Sequence, residues 1–374
     1  MKALFIVFHG FHAFHGISKK IQYQVDALRN CGLDISVCHY DVTPEGCRCW
    51  MIDDKLLKNF GAGIKAKIYK RISFSAILEY VSRERITFVY YRSFHNANPF
   101  TIHFVKQLKK AGVTVFYEIP TYPYDQEAAS FREKVRLWPD RIYRAAFCRH
   151  VDAVVTFSQD EEIFGCRTVR IANGIDFSHI PMKEHVNDIT HELHLIGVAE
   201  IHFWHGFDRV LEGMGNYYRQ YPAYKVYFHI VGYMSGEREK QQIMESIRRN
   251  ALFDYVIMHG PQHGEALDLL FEKADFGIGS LGRHRSGVTS MRSLKNREYA
   301  ARGIPFAYSE IDVDFEQKAY VLKFPADETP IDIDKIVCFC RSSEFSPREI
   351  RNSIADLSWT EQMRMVVNEI PSSK

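Results

Sequence analysis

Long apolar runs are missing from this sequence. No stretch of roughly 18 uncharged apolar residues occurs in its 374 residues, so no membrane-spanning helix is expected. The opening run Ala3-Leu4-Phe5-Ile6-Val7-Phe8 has only strand length, one lysine before it and no small-residue cleavage site. It reads as a first strand and not as a signal peptide. Charge of one sign is also missing: 48 Lys and Arg against 46 Asp and Glu leave a formal +2. That excludes the strongly basic profile of a nucleic-acid binder, and any membrane attraction has to come from a local patch. The eight cysteines, at 31, 38, 47, 49, 148, 166, 338 and 340, lack zinc-knuckle spacing. They read as reduced thiols, without metal or disulfide, which fits a cytoplasmic protein. The dinucleotide pattern G-x-G-x-x-G is absent, as are repeats and low-complexity tracts.

What remains is a chain with 46% hydrophobic and 25% charged residues, ordinary for a globular protein and long enough for two domains of ~180 residues. Strand-like runs at Leu4–Phe8, Asp34–Tyr40, Thr87–Tyr91, Val113–Tyr117 and Ala153–Phe157 alternate with helical periodicity near 18–30 and 101–110. A polar stretch, Pro181 to His191, reads as a linker. A second series then begins: strands at 193–198, 225–231, 255–258, 276–278 and 305–308, helices near 207–218 and 237–250. The expectation is α/β with two doubly wound parallel-sheet domains, 1–182 and 183–345.

In such sheets ligands sit beyond the carboxyl ends of the strands. The first such turn, His9 to Lys20, carries three histidines at a spacing of three (His9, His12, His15) without a supporting carboxylate, and Gly16 before the helix. It reads as a glycine-hinged loop facing a cleft between the domains, and no metal is expected. Tyr117 to Asp125 follows another strand end, where prolines and aromatics stiffen a loop bearing Glu118 and Asp125. It is either a structural turn or an acceptor or catalytic loop. Residues 131–150 interleave Arg132, Lys134, Arg136, Arg141, Arg144 and Arg149 with Leu137, Trp138, Ile142 and Phe147. That segment is either a solvated basic face or a contact with an anionic membrane surface.

Phe203-Trp-His-Gly-Phe-Asp-Arg209 opens the second domain's first helix. There Arg209 either neutralises a diphosphate through its planar fork or pairs with Asp208. The most informative stretch is Ser280 to Pro305: a basic Gly/Ser loop leaves a strand and enters a helix beginning near Ser293. Arg283, Arg285, Arg292 and Lys295 converge there on the helix amides. That combination suits a diphosphate, and Glu298, one turn inside the helix, suits ribose hydroxyls.

These motifs together resemble the retaining family 4 glycosyltransferases of the two-domain GT-B fold, the type found in bacterial capsule or exopolysaccharide assembly. The resemblance rests on Gly16 with Lys19-Lys20, Thr156-Phe-Ser158 before Ile171-Ala-Asn-Gly-Ile-Asp176, Trp204 to Arg209, and Ala274-Asp275. Leu294-Lys-Asn-Arg-Glu-Tyr-Ala300 before Gly303-Ile-Pro305, and the terminal Leu357-Ser-Trp359, complete it; the last resembles the helix that ends these enzymes, which implies a final helix, about 346–374, packing back on the first domain. It implies transfer of a sugar from a nucleotide-diphosphate sugar, a substrate and not a cofactor, to a glycan or lipid-linked acceptor, in the cytoplasm or at the inner face of the membrane. Two departures stand out. The family commonly carries two glutamates eight positions apart; Glu298 fills the second place and Ser290 the first. The usual Lys-Gly pair of the second domain's first turn is His205-Gly206.

The site expected on this reading uses Lys295 and Arg209 for the diphosphate, Glu298 for the ribose, and His15, Glu118 and Asp125 to orient acceptor or sugar. Gly16, His205, Gly206, Arg283, Arg285, Ser293 and Leu294 complete the donor contacts. The alternatives are a nucleotide-sugar epimerase of the same architecture and a catalytically inactive partner subunit; Ser290 makes the latter conceivable.

Overall fold

A computed structural model describes residues 1–10, 16–125, 131–234, 236–342 and 344–371. The chain divides into two compact units, Met1–Ala172 with Trp359–Lys374, and Asn173–Ser358.

The first unit runs β1 (Lys2–Ile6), α1 (Gly16–Asn30), β2 (Asp34–Val42), β3 (Arg48–Ile52), β4 (Lys55–Asn59), α2 (Gly63–Ile72) and α3 (Ser75–Glu84). It continues with β5 (Phe88–Arg92), α4 (Pro99–Lys110), β6 (Thr114–Ile119), α5 (Phe131–Cys148), β7 (Ala153–Thr156), β8 (Glu162–Ile163) and β9 (Cys166–Arg170). Its sheet order is β4-β3-β2-β1-β5-β6-β7-β9-β8. The six central strands from β2 to β9 pair in parallel, while β3, β4 and β8 add antiparallel edges. The all-apolar run of β1 is explained by burial on both faces: Ala3 to Ile6 are 0% exposed.

The second unit runs β10 (Glu192–Val198), α6 (Phe207–Tyr218), β11 (Lys225–Val231), α7 (Glu237–Arg249), β12 (Val256–Gly260), α8 (Glu265–Lys273) and β13 (Phe276–Ile278). It ends with α9 (Leu294–Arg302), β14 (Phe306–Tyr308), β15 (Val321–Lys323), α10 (Ile333–Ser342) and α11 (Pro347–Asn352). Its six strands, ordered β12-β11-β10-β13-β14-β15, are all parallel. This is the expected α/β pairing of two doubly wound sheets.

The family resemblance implies a return to the first unit near residue 346; the compact units place it at Trp359. The intervening segment stays with the second unit because Arg351 donates to the carbonyls of Phe177, Ile180 and Ala301 there. The last helix, α12 (Trp359–Asn368), buries Trp359, Met363 and Val366 with Ile21, Val25 and Leu28 of α1. Each such side chain contributes ~1.5–3 kcal/mol when fully buried. All eight cysteines are free.

Candidate functional site

In the second sheet, β10 has β11 on one side and β13 on the other, so the strand order reverses between β10 and β13. The carboxyl ends at such a switch point are where open α/β sheets take ligands. Three loops meet there, following β10, β13 and β14. The first two are joined by backbone: Leu281 N donates to His205 O at 2.9 Å and Gly282 N to Trp204 O at 3.2 Å. Gly206 allows this approach. Its φ is +67°, and a Cβ there would lie 2.8 Å from the Gly282 nitrogen, closer than any side chain tolerates.

The third loop clamps the start of α9. Asp312 accepts from Ser293 N at 3.2 Å, Asn296 Nδ2 at 3.0 Å and Arg297 at 3.0 Å. Arg297 also bonds Asp314 and the carbonyls of Ser293 and Asn173. Arg297 and Asp312 are both 0% exposed. A buried pair of this kind persists only where further hydrogen bonds offset its desolvation, and these do. The amino end of α9 is thereby fixed rigidly beside the loop after β13.

Around it lies a set of polar atoms that the protein itself leaves unmatched. Lys295 Nζ, Arg283 Nε, Ser280 Oγ and both carboxylate oxygens of Glu310 are buried without a hydrogen-bond partner among the described residues. Buried polar groups are matched almost everywhere in folded proteins, so this concentration marks a place built for another molecule. Burial pushes the Lys295 ammonium down to about 7, aided by Arg283 and opposed by Glu310. Burial likewise pushes Glu310 up to about 7, opposed by its own backbone amide and then by Arg283 and Lys295. Arg283 is lowered by burial and spreads over the Trp204 ring at 5.5 Å. His205, 4% exposed, is held down at about 2, first by burial and then by Lys295 and Arg283. Its Nδ1 accepts from the His202 amide at 3.0 Å, which leaves Nε2 as the protonated ring nitrogen. Cations, a neutral imidazole N–H and helix amides together suit a polyanion.

Of the residues expected at the donor site, His205, Gly206, Arg283, Ser293 and Lys295 converge in this way. Ser293 is the N-cap residue of α9, and Leu294, its first residue, is 52% exposed. Glu298, on the next turn, accepts from Arg302 Nε at 3.1 Å.

Arg209 and Arg285 do something else. Arg209 is 2% exposed, and its guanidinium donates to Thr329 O at 2.8 Å, Pro325 O at 3.1 Å, Leu281 O and Ser309 Oγ. It ties loops together from inside and has no fork to offer a diphosphate. Arg285 is gripped by two carboxylates, Asp208 at 2.8–2.9 Å and Glu328 at 2.9 Å.

In the first unit Glu118 is 0% exposed at the end of β6, accepting from Gln24 at 2.7 Å, Tyr90 at 2.6 Å and Arg92. It belongs to a buried network and not to an open loop. Asp125 is held at about 2, chiefly by hydrogen bonds from Arg144 and also by Arg141. Gly16 opens α1, and His15 lies outside the described residues. In 131–150, Val135, Trp138 and Ile142 are each more than half exposed on α5.

Sequence reasoning missed Glu310. Its signal was present: Ser309-Glu-Ile-Asp-Val-Asp314 follows a strand, and carboxylates at a strand's carboxyl end in this sheet type point to a ligand. Ser290, which stands where the resembled family has its first glutamate, forms a parallel bridge with Ile311. Glu310 is thus one residue along the chain from the backbone partner of Ser290.

No protein-family model matches the chain, and no curated protein matches it by sequence. Solved structures do match its fold. Sucrose-phosphate synthase from Thermosynechococcus elongatus aligns with a TM-score of 0.64 at 14% identity, covering 99% of this chain and 98% of that one. The Anabaena protein Alr3699/HepE in complex with UDP gives 0.63 at 12% identity, covering 98% and 99%. Trehalose-6-phosphate synthase OtsA gives 0.57 at 11% identity over 100% of each chain. The fold is the two-domain GT-B fold of glycosyltransferases.

Proposed function

We propose that the chain is a retaining glycosyltransferase of the family 4 type, moving a sugar from a nucleotide-diphosphate sugar to a glycan or lipid-linked acceptor in capsule or exopolysaccharide assembly. The observation that carries the reading is the unmatched, buried Lys295 ammonium with the half-buried Arg283 beside it, at the amino end of α9. Neighbours of the same fold were solved with UDP and with UDP-glucose, and this supports a nucleotide sugar as donor.

Breaking a sugar–phosphate bond passes through an oxocarbenium-like state while negative charge grows on the departing diphosphate. Lys295, Arg283 and the α9 amides are preorganised to meet that charge, so the reaction runs without a metal ion. Burial lowers Lys295 to about 7, and an arriving diphosphate restores its charge where charge is needed. Glu310 accepts hydrogen bonds from sugar hydroxyls, and Glu298 from the ribose. The leaving phosphate takes the acceptor's proton. The enzyme works in the cytoplasm, at the inner face of the membrane, with the exposed apolar and basic face of α5 in contact with it.

A thermal-shift screen against UDP, GDP, ADP, CMP and NAD, with and without chelator, tests the reading. A ligand binding only the folded state at a hundred times its Kd adds about 2.7 kcal/mol of stability. A shift with one nucleoside diphosphate, unchanged by chelator, is the expected result. No shift with any of them, alone or with acceptor glycans, overturns the donor site.

A further inference from the structure

The first sheet has its own switch point, between β1 and β5, and a groove of about 430 Å³ opens at the loop that follows β5. Its walls come from α2, the start of α4 and α5. Helix α2, Gly-Ile-Lys-Ala-Lys-Ile-Tyr-Lys-Arg-Ile, carries four basic residues and no acidic one. Ile64 and Ile68, one turn apart on it, are 75% and 53% exposed, and Phe100 at the start of α4 is 52% exposed. The groove is thus apolar on two sides and open.

Its floor and rim are cationic without compensation. Arg71 of α2 and Arg136 of α5 both line it, near enough that Arg136 lowers the pKa of Arg71 after burial has done so. No carboxylate among the described residues pairs with either. Asp140, the acid that lines the groove, is 1% exposed and spent: Ala97 N donates to it at 2.9 Å and Tyr124 OH at 2.7 Å. The contrast on the same helix is informative, because Arg141 and Arg144 are both paired with Asp125. Two guanidiniums lining one groove, with the local acid consumed, ask for an external anion. The amides of α4 are not its source of binding, since Asn98 already accepts from Phe100 N and Thr101 N.

We propose that this groove binds a phosphate group carried on an apolar chain, with Arg71 and Arg136 taking the phosphate and Ile64, Ile68 and Phe100 taking the chain. The inference rests on the acceptor and membrane side of the proposed function, whose membrane contact also uses α5, and is independent of the nucleotide-sugar site, whose residues lie in the other unit.

Flotation of the full chain with phosphatidylcholine vesicles, with and without phosphatidylglycerol, tests it, beside titration with inorganic phosphate against chloride at equal ionic strength. Binding confined to the anionic vesicles is expected. It falls by about fivefold for each guanidinium removed in Arg71→Gln and Arg136→Gln, and falls also in Ile64→Ser/Ile68→Ser, with melting temperature unchanged. Inorganic phosphate binding that the arginine variants abolish, with no vesicle binding, overturns the apolar-chain ligand and leaves a soluble phosphate ester in its place. Vesicle binding that survives in both arginine variants, or no binding of vesicles and phosphate alike, overturns the proposal. Nucleotide shifts in the same variants report on the donor site alone, so the two readings fail separately.

Discussion

The Lys295 ammonium and the Glu310 carboxylate are buried within each other's electrostatic reach, yet they do not hydrogen-bond each other and no other side chain among the described residues bonds either. Two buried charges left unbonded destabilise a fold unless a third group joins them. Lys295→Met tests this directly. The variant is expected to be as stable as the wild type or more so, because an unmatched buried cation is replaced by apolar volume. Its nucleoside-diphosphate affinity is expected to fall by about 2 kcal/mol, roughly thirtyfold in Kd. Calorimetric titration and urea unfolding on the same preparation separate the two effects; a variant that loses stability while keeping affinity would show Lys295 to be structural.

The same pair sets a pH dependence for binding. Free Lys295 sits at about 7, and a bound diphosphate favours its charged form, so binding takes up a proton. Glu310, also at about 7, becomes an anion beside the ligand as pH rises, which acts in the same direction. Affinity is therefore expected to weaken by about tenfold per pH unit above 7 from Lys295 alone, and more steeply where Glu310 adds to it. Titrations between about pH 6 and 8.5, in buffers of different ionisation enthalpy, measure both the slope and the proton uptake. A flat profile rules out Lys295 as the diphosphate's partner.

Much of the fold was legible because burial on both faces writes itself as continuous apolar strands, and helices as a period near 3.6. The helix 207–218 and the strand 225–231 have the bounds read from sequence. The hairpin β3–β4 and helix α2 escaped, since Lys55-Leu-Leu-Lys-Asn59 is mostly exposed and α2 shows its isoleucines to solvent. In the site, Lys295 and Arg283 were legible as cations on a loop entering a helix. Arg209 and Arg285 look the same in sequence. Only the structure shows that Thr329, Pro325, Asp208 and Glu328, far along the chain or on another element, consume their donors. Spacing reports which charges exist, and not which are already neutralised.

That distinction makes Arg209 a stability residue. Arg209→Ala strands the carbonyls of Leu281, Thr329 and Pro325 and opens a void beside the loop after β13. The expected cost is about 3 kcal/mol of stability, read as a lower urea midpoint for the second unit. An unchanged midpoint with lost nucleotide binding would return Arg209 to the ligand.

Gly206→Ala is expected to be damaging for two reasons that add. The backbone there sits at φ +67°, and the new methyl meets backbone atoms of Leu281 and Gly282 at 2.8 Å, which cannot swing aside as a side chain would. The combined penalty is about 2 kcal/mol or more. Because the two site loops are held together at this point, nucleotide affinity falls with it. Retained affinity would mean the loops close independently.

Acid should unfold the second unit through its buried histidines. His205 is held down at about 2 and His229 at about 3, both first by burial. His229 is bonded on one side to His194 at 2.9 Å and on the other to His259 at 2.8 Å, a line of three rings across β10, β11 and β12. With folded values below the ordinary one near 6.5, the unfolded chain takes these protons first. Their contribution is complete above about pH 6.5 and is lost as pH falls below it, at a slope approaching 1.4 kcal/mol per pH unit for each histidine. Unfolding midpoints between about pH 7 and 5 should therefore drop steeply in the wild type. Replacing His229 by glutamine removes one proton from that balance and should halve the slope attributable to the two. If His229→Gln leaves the slope unchanged while His205→Gln flattens it, the acid sensitivity belongs to the ligand site alone, and the three-ring line across the sheet is inert to protons.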